Sequence, residues 1–270
     1  TLWGLRLEIC QHFDQYANVR PSRLLPGIQS PLKNIGPAEL DWVIVRENTE
    51  GEYSGAGGRV HPKLPQEVGI DVSVFTRDGI ERVMRYAFEL ALTRPKKQLT
   101  LVTKSNAQRH GMVLWDEVFE KLKHDYPGIT TDRMLVDAIT TRMVLQPQSL
   151  DTIVATNLHA DILSDLAAAL SGSLGIGPTA NINPERTFPS MFEPIHGSAF
   201  DLVGKDLANP LGAFWSCVMM LEHLQENKGA SLLMSAIEEV CQEGRHLPKD
   251  LGGNSCTGEV TTAVCAALKK

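Results

Sequence analysis

Residues 152–165 read TIVATNLHADILSD, and the fold turns on how this stretch is divided. TIVATN is a short β-branched, apolar run, the pattern of a buried strand. NLHADILSD leads into LAAAL and reads as a helix. On a helix Asp161 and Asp165, four residues apart, share one face. Like charges at that spacing repel by about 0.2–0.5 kcal/mol. The pair is a solvated helix face, a salt-bridged pair, or a pair of oxygen ligands whose repulsion a divalent cation converts into joint coordination.

The same alternation recurs outward. DWVIVR (41–46), DVSVFT (71–76), LTLVTK (99–104) and MLVDAI (134–139) are further strand-like runs. Ile80, Val83, Met84, Ala87, Leu90 and Ala91 fall on one helical face, with Thr76 or Asp78 as its cap and Arg94-Pro95 as its end. Ser105 is expected to cap a helix around Met112–His124. Two more helices are expected near 211–224 and 230–243. The Gly/Pro-rich stretch 50–69 reads as loop or extended arm, and 171–209 carries many turn signals. Strands alternating with helices predict an α/β protein with an at least partly parallel sheet. In such folds ligands collect beyond the carboxyl ends of strands. Arg46, Lys104, Asp137 and the Asp161/Asp165 helix all follow apolar runs in that way.

The balance of 26 basic and 32 acidic residues, net −6, argues against a nucleic-acid partner. No apolar run reaches the ~18 residues of a membrane span. The five cysteines are scattered with no CxxC, which favours a reducing cytoplasm. Arg20 in NVRP and Arg46 in VREN are either surface residues or a bidentate clamp for carboxylate. Lys104 either snorkels to solvent or, beside a metal, becomes a base. Tyr53 is a loop or interface tyrosine or, near a metal, an acid. EPIHGSAFD (193–201) is a polar loop in which Gly197 permits close backbone approach, His196 stacks on a base or caps a turn, and Asp201 can bind ribose hydroxyls. No GxGxxG is present.

Taken together, VRENTEGEYSG, TKSN, VDAI, NLHADILSD, NPERTFPSMFEPIHGSA and GKDLANP resemble, in this order, the metal-dependent decarboxylating hydroxyacid dehydrogenases of the isocitrate/isopropylmalate dehydrogenase family. FDQYANVRP, RENTEGEYSG and NPERTFPSMFEP look most like its tartrate/D-malate branch. The resemblance implies an isopropylmalate dehydrogenase-like two-domain fold with the first strand–helix units absent. Residues 1–15 and 172–270 would form an incomplete cofactor-side domain, and 16–171 a central metal-binding and dimerisation domain.

The resemblance also implies roles. Arg20 and Arg46 would hold substrate carboxylate. Tyr53 and Lys104 would be catalytic, and Asp137, Asp161 and Asp165 would hold Mg²⁺ or Mn²⁺. Glu193, His196, Gly197, Ser198, Ala199, Asp201 and Asn209 would lie on the cofactor side, with Asp201 favouring NAD over its phosphorylated form. A homodimer is implied, with Lys104 and Asp137 reaching into the other subunit's site and the arm after Tyr53 interlocking the subunits. The chain departs from the pattern at Cys10, where relatives usually carry another substrate-binding arginine, and at His159-Ala160. The implied reaction is oxidation, with decarboxylation, of a 2-hydroxydicarboxylate such as D-malate or tartrate. Isopropylmalate, isocitrate and a truncated, inactive binding or regulatory homologue are the alternatives.

Overall fold

The computed structural model describes residues 2–270. Its centre is a seven-stranded mixed sheet. The strands are β1 (Ala17–Arg23), β2 (Asp41–Glu47), β5 (Gln98–Thr103), β6 (Thr130–Leu135), β7 (Thr152–Ala155), β8 (Pro178–Ile182) and β9 (Met191–Pro194). Their order is β6-β5-β7-β2-β1-β8-β9. The first four of these run parallel, and β1, β8 and β9 each pair antiparallel.

Side chains alternate across a strand, so each strand feeds two cores. Val45, Leu101 and Val154 join a cluster with helices α2 (Arg77–Thr93) and α3 (Gly111–Leu122). Ile44, Val102 and Ile153, their immediate neighbours, join a cluster on the opposite face. That second face is covered by α4 (Val136–Leu145), α5 (Asn157–Leu170), α6 (Leu211–His223), α7 (Asn227–Glu243) and α8 (Thr257–Ala267). Such double-sided burial explains why the central strands read as continuous apolar runs.

Helix α2 follows the expected apolar stripe, with Ile80, Val83, Met84, Ala87 and Ala91 fully buried. Thr76 takes the cap, its hydroxyl accepting from the Gly79 amide at 3.0 Å. A π-helical turn, Leu2–Arg6, runs into the short helix α1 (Leu7–His12).

Four local expectations are corrected. MLVDAI is not one strand: β6 ends at Leu135, and α4 then buries Ile139 and Met143 on one face, so Asp137 stands in the first turn of a helix. Ser105 caps no helix, since α3 starts at Gly111. The 171–209 stretch contains β8 and β9, whose short length hid them among turn residues. The strand expected at 71–76 ends earlier: β4 (Val68–Val74) pairs with β3 (Gly51–Val60) in a separate two-stranded sheet. The Gly-rich arm is therefore a hairpin. The division expected at 171/172 falls between α5 and β8, and the main sheet runs across it.

The β3/β4 hairpin leaves Val60, Val68, Ile70, Val72 and Val74 exposed. Gly57 permits its close pairing, because a Cβ there would meet the Ile70 carbonyl oxygen at 2.2 Å. Gly57→Val is expected to open this hairpin at a local cost of about 1–3 kcal/mol while the body stays folded. Tryptic cleavage at Arg59 or Lys63 should then speed up roughly tenfold with little change in the main thermal transition. Unchanged cleavage would refute this account of Gly57.

Candidate active site

Strand register builds the floor of the site. Asn18 lies opposite Arg46 on one side and opposite Asn181 on the other, and Arg20 lies opposite Ile44. Directly paired residues present side chains on the same face. That is the face covered by α5, so two arginines and two asparagines are delivered beneath the helix that carries the aspartates.

Helix α5 is set by its own start. The Thr156 hydroxyl accepts from the His159 amide at 3.3 Å. Glu52, on β3, accepts from the Thr156 hydroxyl at 2.8 Å and from the Leu158 amide at 3.2 Å. His159, Ala160, Leu163, Ser164 and Ala167 turn inward. Asp161 and Asp165 lie on the flank beside that buried stripe, which places Asp161 over the arginines.

Arg20 donates to Asn18 Oδ1 at 2.8 Å, to Ser164 Oγ at 2.7 Å and to Asp161 Oδ1 at 3.2 Å. Arg46 donates to Asn157 Oδ1 at 2.8 Å and pairs with the same Asp161 oxygen. The Tyr53 hydroxyl donates to the other oxygen, Oδ2, at 3.3 Å. The Arg46 guanidinium also lies 5.4 Å from the centre of the Tyr53 ring, in cation–π range.

Both arginine side chains are almost fully buried, 5% and 2% exposed. Burial, then the neighbouring Arg46 charge, lowers Arg20 to about 9, so it remains cationic at neutral pH. Burial likewise lowers Arg46. Burial acts to raise Asp161, but Arg46 and Arg20 outweigh it and hold the carboxyl below its ordinary range. Burial, followed by Asp161, raises Tyr53, which keeps the phenol protonated.

Asp165 differs. Much of it faces solvent, and partial burial followed by the Asp161 charge raises its proton affinity. Among the described residues it accepts no hydrogen bond and makes no ion pair. A divalent cation bound to both carboxylates would relieve the repulsion between Asp161 and Asp165. The donors are all hard oxygens, which suits Mg²⁺ or Mn²⁺ rather than zinc. Among the described residues no three acidic, His or Cys side chains of one chain converge. Asp137 instead pairs with Lys104. Neither of these two lines the cavity that Arg20, Arg46, Tyr53 and Asp161 share.

That cavity holds about 480 Å³, and His196, Gly197 and Ser198 also line it. The loop beyond them contains Ala199 at φ +27° and a short 3₁₀ turn, Phe200–Leu202, that carries Asp201. Asn209 lies at the start of α6: its amide donates to Asp250 and its oxygen accepts from the Leu211 amide. Glu193, grouped by sequence with the cofactor loop, accepts from Arg6 Nε at 2.8 Å.

No sequence motif assigns a role to Arg6, Asn18, Asn48, Ser164 or Asn181. Only Arg6 left a signal, as the one charge inside LWGLRL. The asparagines become legible only once the strands are paired. His159, read as a departure, is buried in the α5 interface, where burial lowers its pKa and keeps the ring neutral. Ala160 packs without exposure in the adjoining core.

Comparison with known proteins agrees with this architecture. The family described as isocitrate/isopropylmalate dehydrogenase matches residues 4–266. A probable tartrate dehydrogenase/decarboxylase of Agrobacterium vitis is 66% identical over 268 residues, covering 99% of this chain and 75% of the relative. The decarboxylating D-malate dehydrogenase of Escherichia coli (strain K12) is 49% identical over 276 residues, covering 99% and 75%. The crystal structure of isocitrate dehydrogenase from Methylococcus capsulatus superposes with a TM-score of 0.91 at 37% identity, covering 99% of this chain and 77% of that one. The chain belongs to the isocitrate/isopropylmalate dehydrogenase family.

Proposed function

We propose that the chain catalyses NAD-dependent, divalent-metal-dependent oxidation of a 2-hydroxydicarboxylate, with decarboxylation, and that D-malate or tartrate is preferred. The observation that carries this reading is the convergence of two buried guanidiniums and a protonated phenol on Asp161. The names of the relatives from Agrobacterium vitis and Escherichia coli favour these two substrates over isopropylmalate and isocitrate.

In this reading Asp161 is a counter-ion that substrate displaces. Arg20 and Arg46 turn from Asp161 to a substrate carboxylate, held in planar, bidentate fashion. Asp161 and Asp165 are then free to hold Mg²⁺ or Mn²⁺. Bound there, the cation supplies Lewis acidity, and NAD supplies the hydride acceptor. Tyr53, kept protonated, delivers a proton to the carbon that loses CO₂. Glu193, His196, Gly197, Ser198, Ala199 and Asn209 would line the cofactor side, and Asp201 would repel a ribose phosphate and so favour NAD.

Lys104 is assigned to the substrate hydroxyl proton and Asp137 to the third metal ligand, both in a neighbouring subunit's site. The surface exposure of Asp137, the separation of the pair from the cavity and the exposed apolar hairpin support a homodimer. The same reading divides the chain into a cofactor side, 1–15 and 172–270, and a central dimerisation unit, 16–171. Among the described residues no helix is long and apolar enough to cross a membrane. The scattered, unpaired cysteines support the cytoplasm as the compartment.

The test is NADH formation from D-malate and tartrate with Mn²⁺. Turnover abolished by EDTA and restored by Mn²⁺ is expected. No turnover together with retained Mn²⁺ and dinucleotide binding would overturn the proposal in favour of a binding role.

A further inference from the structure

Arg6 enters the same cavity from the start of the chain, beside Arg20 and Arg46. Its side chain is 17% exposed, and two of its three nitrogens are committed. Nε donates to Glu193 Oε1 at 2.8 Å. Nη2 donates to Asn181 Oδ1 at 2.9 Å and reaches Asn48 Oδ1 at 3.4 Å. Among the described residues Nη1 has no partner.

The support beneath Arg6 is rigid and buried. Asn18, Asn48 and Asn181 are each fully buried. Asn181 Oδ1 accepts from Asn18 at 2.6 Å and from Asn48 at 3.0 Å. Asn181 Nδ2 donates to Glu193 Oε1 at 2.9 Å, the oxygen that Arg6 uses. Asn18 in turn receives Arg20 Nε at 2.8 Å. One run of buried side-chain amides, two of them on the paired strands β1 and β8, therefore links Arg6 to Arg20. One helical turn further on, Cys10 is wholly buried; burial raises its thiol, so it adds no charge to the cavity.

Charge points the same way. Three guanidiniums face two carboxylates, Asp161 and Glu193, and Arg6 adds to the repulsion felt by both Arg20 and Arg46. A mostly buried excess of positive charge with one free N–H edge is built for an anion. If Arg20 and Arg46 take one carboxylate, as the proposed function has it, Arg6 lies beside them with a donor to spare.

We infer that Arg6 is a specificity-determining residue: its free edge binds a second anionic group of the substrate and makes a dicarboxylate the required class. The inference rests on the reading above that the cavity takes hydroxyacids.

The test compares D-malate with D-lactate, which lacks only the second carboxylate, in wild type and Arg6→Met, with Arg6→Lys as the charge-conserving variant. Arg6→Met is expected to lose about 10- to 100-fold in kcat/KM for D-malate, the scale of one lost charge-assisted contact, with KM for NAD within about twofold. The D-malate to D-lactate preference should collapse by the same factor, and Arg6→Lys should restore part of it. An equal loss on both acids, or no loss, would overturn the assignment. Succinate binding by calorimetry with Mn²⁺ separates the two proposals. If wild type turns over no hydroxyacid, the functional reading fails; Arg6-dependent succinate binding would still support Arg6 as a dicarboxylate reader. Succinate bound equally by wild type and Arg6→Met, or by neither, would refute it.

Discussion

Asp161→Asn is expected to lower Mn²⁺-dependent turnover by roughly 10²–10³-fold or more, the scale found when one preorganised charge is removed from a reacting centre. The same change should weaken Mn²⁺ binding measured directly, because Asp165 is left as the only carboxylate on that face of α5. A second effect follows from the arginines. Arg20 and Arg46 are nearly buried and share Asp161 as their counter-ion. Removing one partner of a fully buried pair costs about 3–5 kcal/mol. The Asp161 side chain is 40% exposed, so solvent screens much of this, and about 1–2 kcal/mol is expected. For a chain of this size that lowers the thermal midpoint by roughly 2–8 °C, and succinate should restore part of the loss.

The pH dependence has a definite sign. The Asp161 carboxyl is held below its ordinary value of 3.8 in the folded chain. Its contribution is complete above 3.8 and is lost as pH falls through the lower folded value. The stability gap between wild type and Asp161→Asn should therefore close only at strongly acid pH. A variant with wild-type Mn²⁺ affinity and an unchanged thermal midpoint would sink both roles.

Mixing two inactive variants should regenerate activity. Lys104→Met alone is expected to fall about 10²–10⁴-fold, the range for a lost acid–base group. Asp161→Asn is similarly impaired. If each site takes Asp161 from one subunit and Lys104 from the other, a mixed dimer has one intact site and one doubly altered site. Random exchange of equal amounts makes half the dimers mixed, so about a quarter of wild-type activity should return. Mixtures kept from exchanging subunits are the control. No recovery after verified exchange would mean that Lys104 serves the site of its own chain. It would then have to leave Asp137 and cross to a cavity it does not line.

Much of the architecture was legible because burial leaves a periodic trace. TIVATN and DWVIVR read as strands because both faces are covered. The α2 stripe read as a helix because one face is covered. The errors fell where that trace is weak. β3 is glycine-rich and is exposed from Gly55 onward, so no burial pattern marks it. β8 and β9 are short and flanked by turn residues. In MLVDAI a two-residue period passes into a 3.6-residue period within one apolar run, and no local signal divides them.

The sequence by itself determined the family, the alternation of strand and helix, and the chemical inventory: arginines, a tyrosine, a lysine and paired aspartates spaced along ordered motifs. Those are properties of residue type and local spacing. Only the tertiary structure decided which of them meet. The antiparallel register of β1 with β2 and β8 places Asn18, Arg46 and Asn181 in one row, and α5 lays Asp161 across it. It also brought Arg6, which no motif had marked, onto Glu193 across 187 positions. It kept Lys104 and Asp137 together and apart from that row. Contacts between residues so distant in sequence are set by strand pairing and helix packing, and no local pattern encodes that pairing.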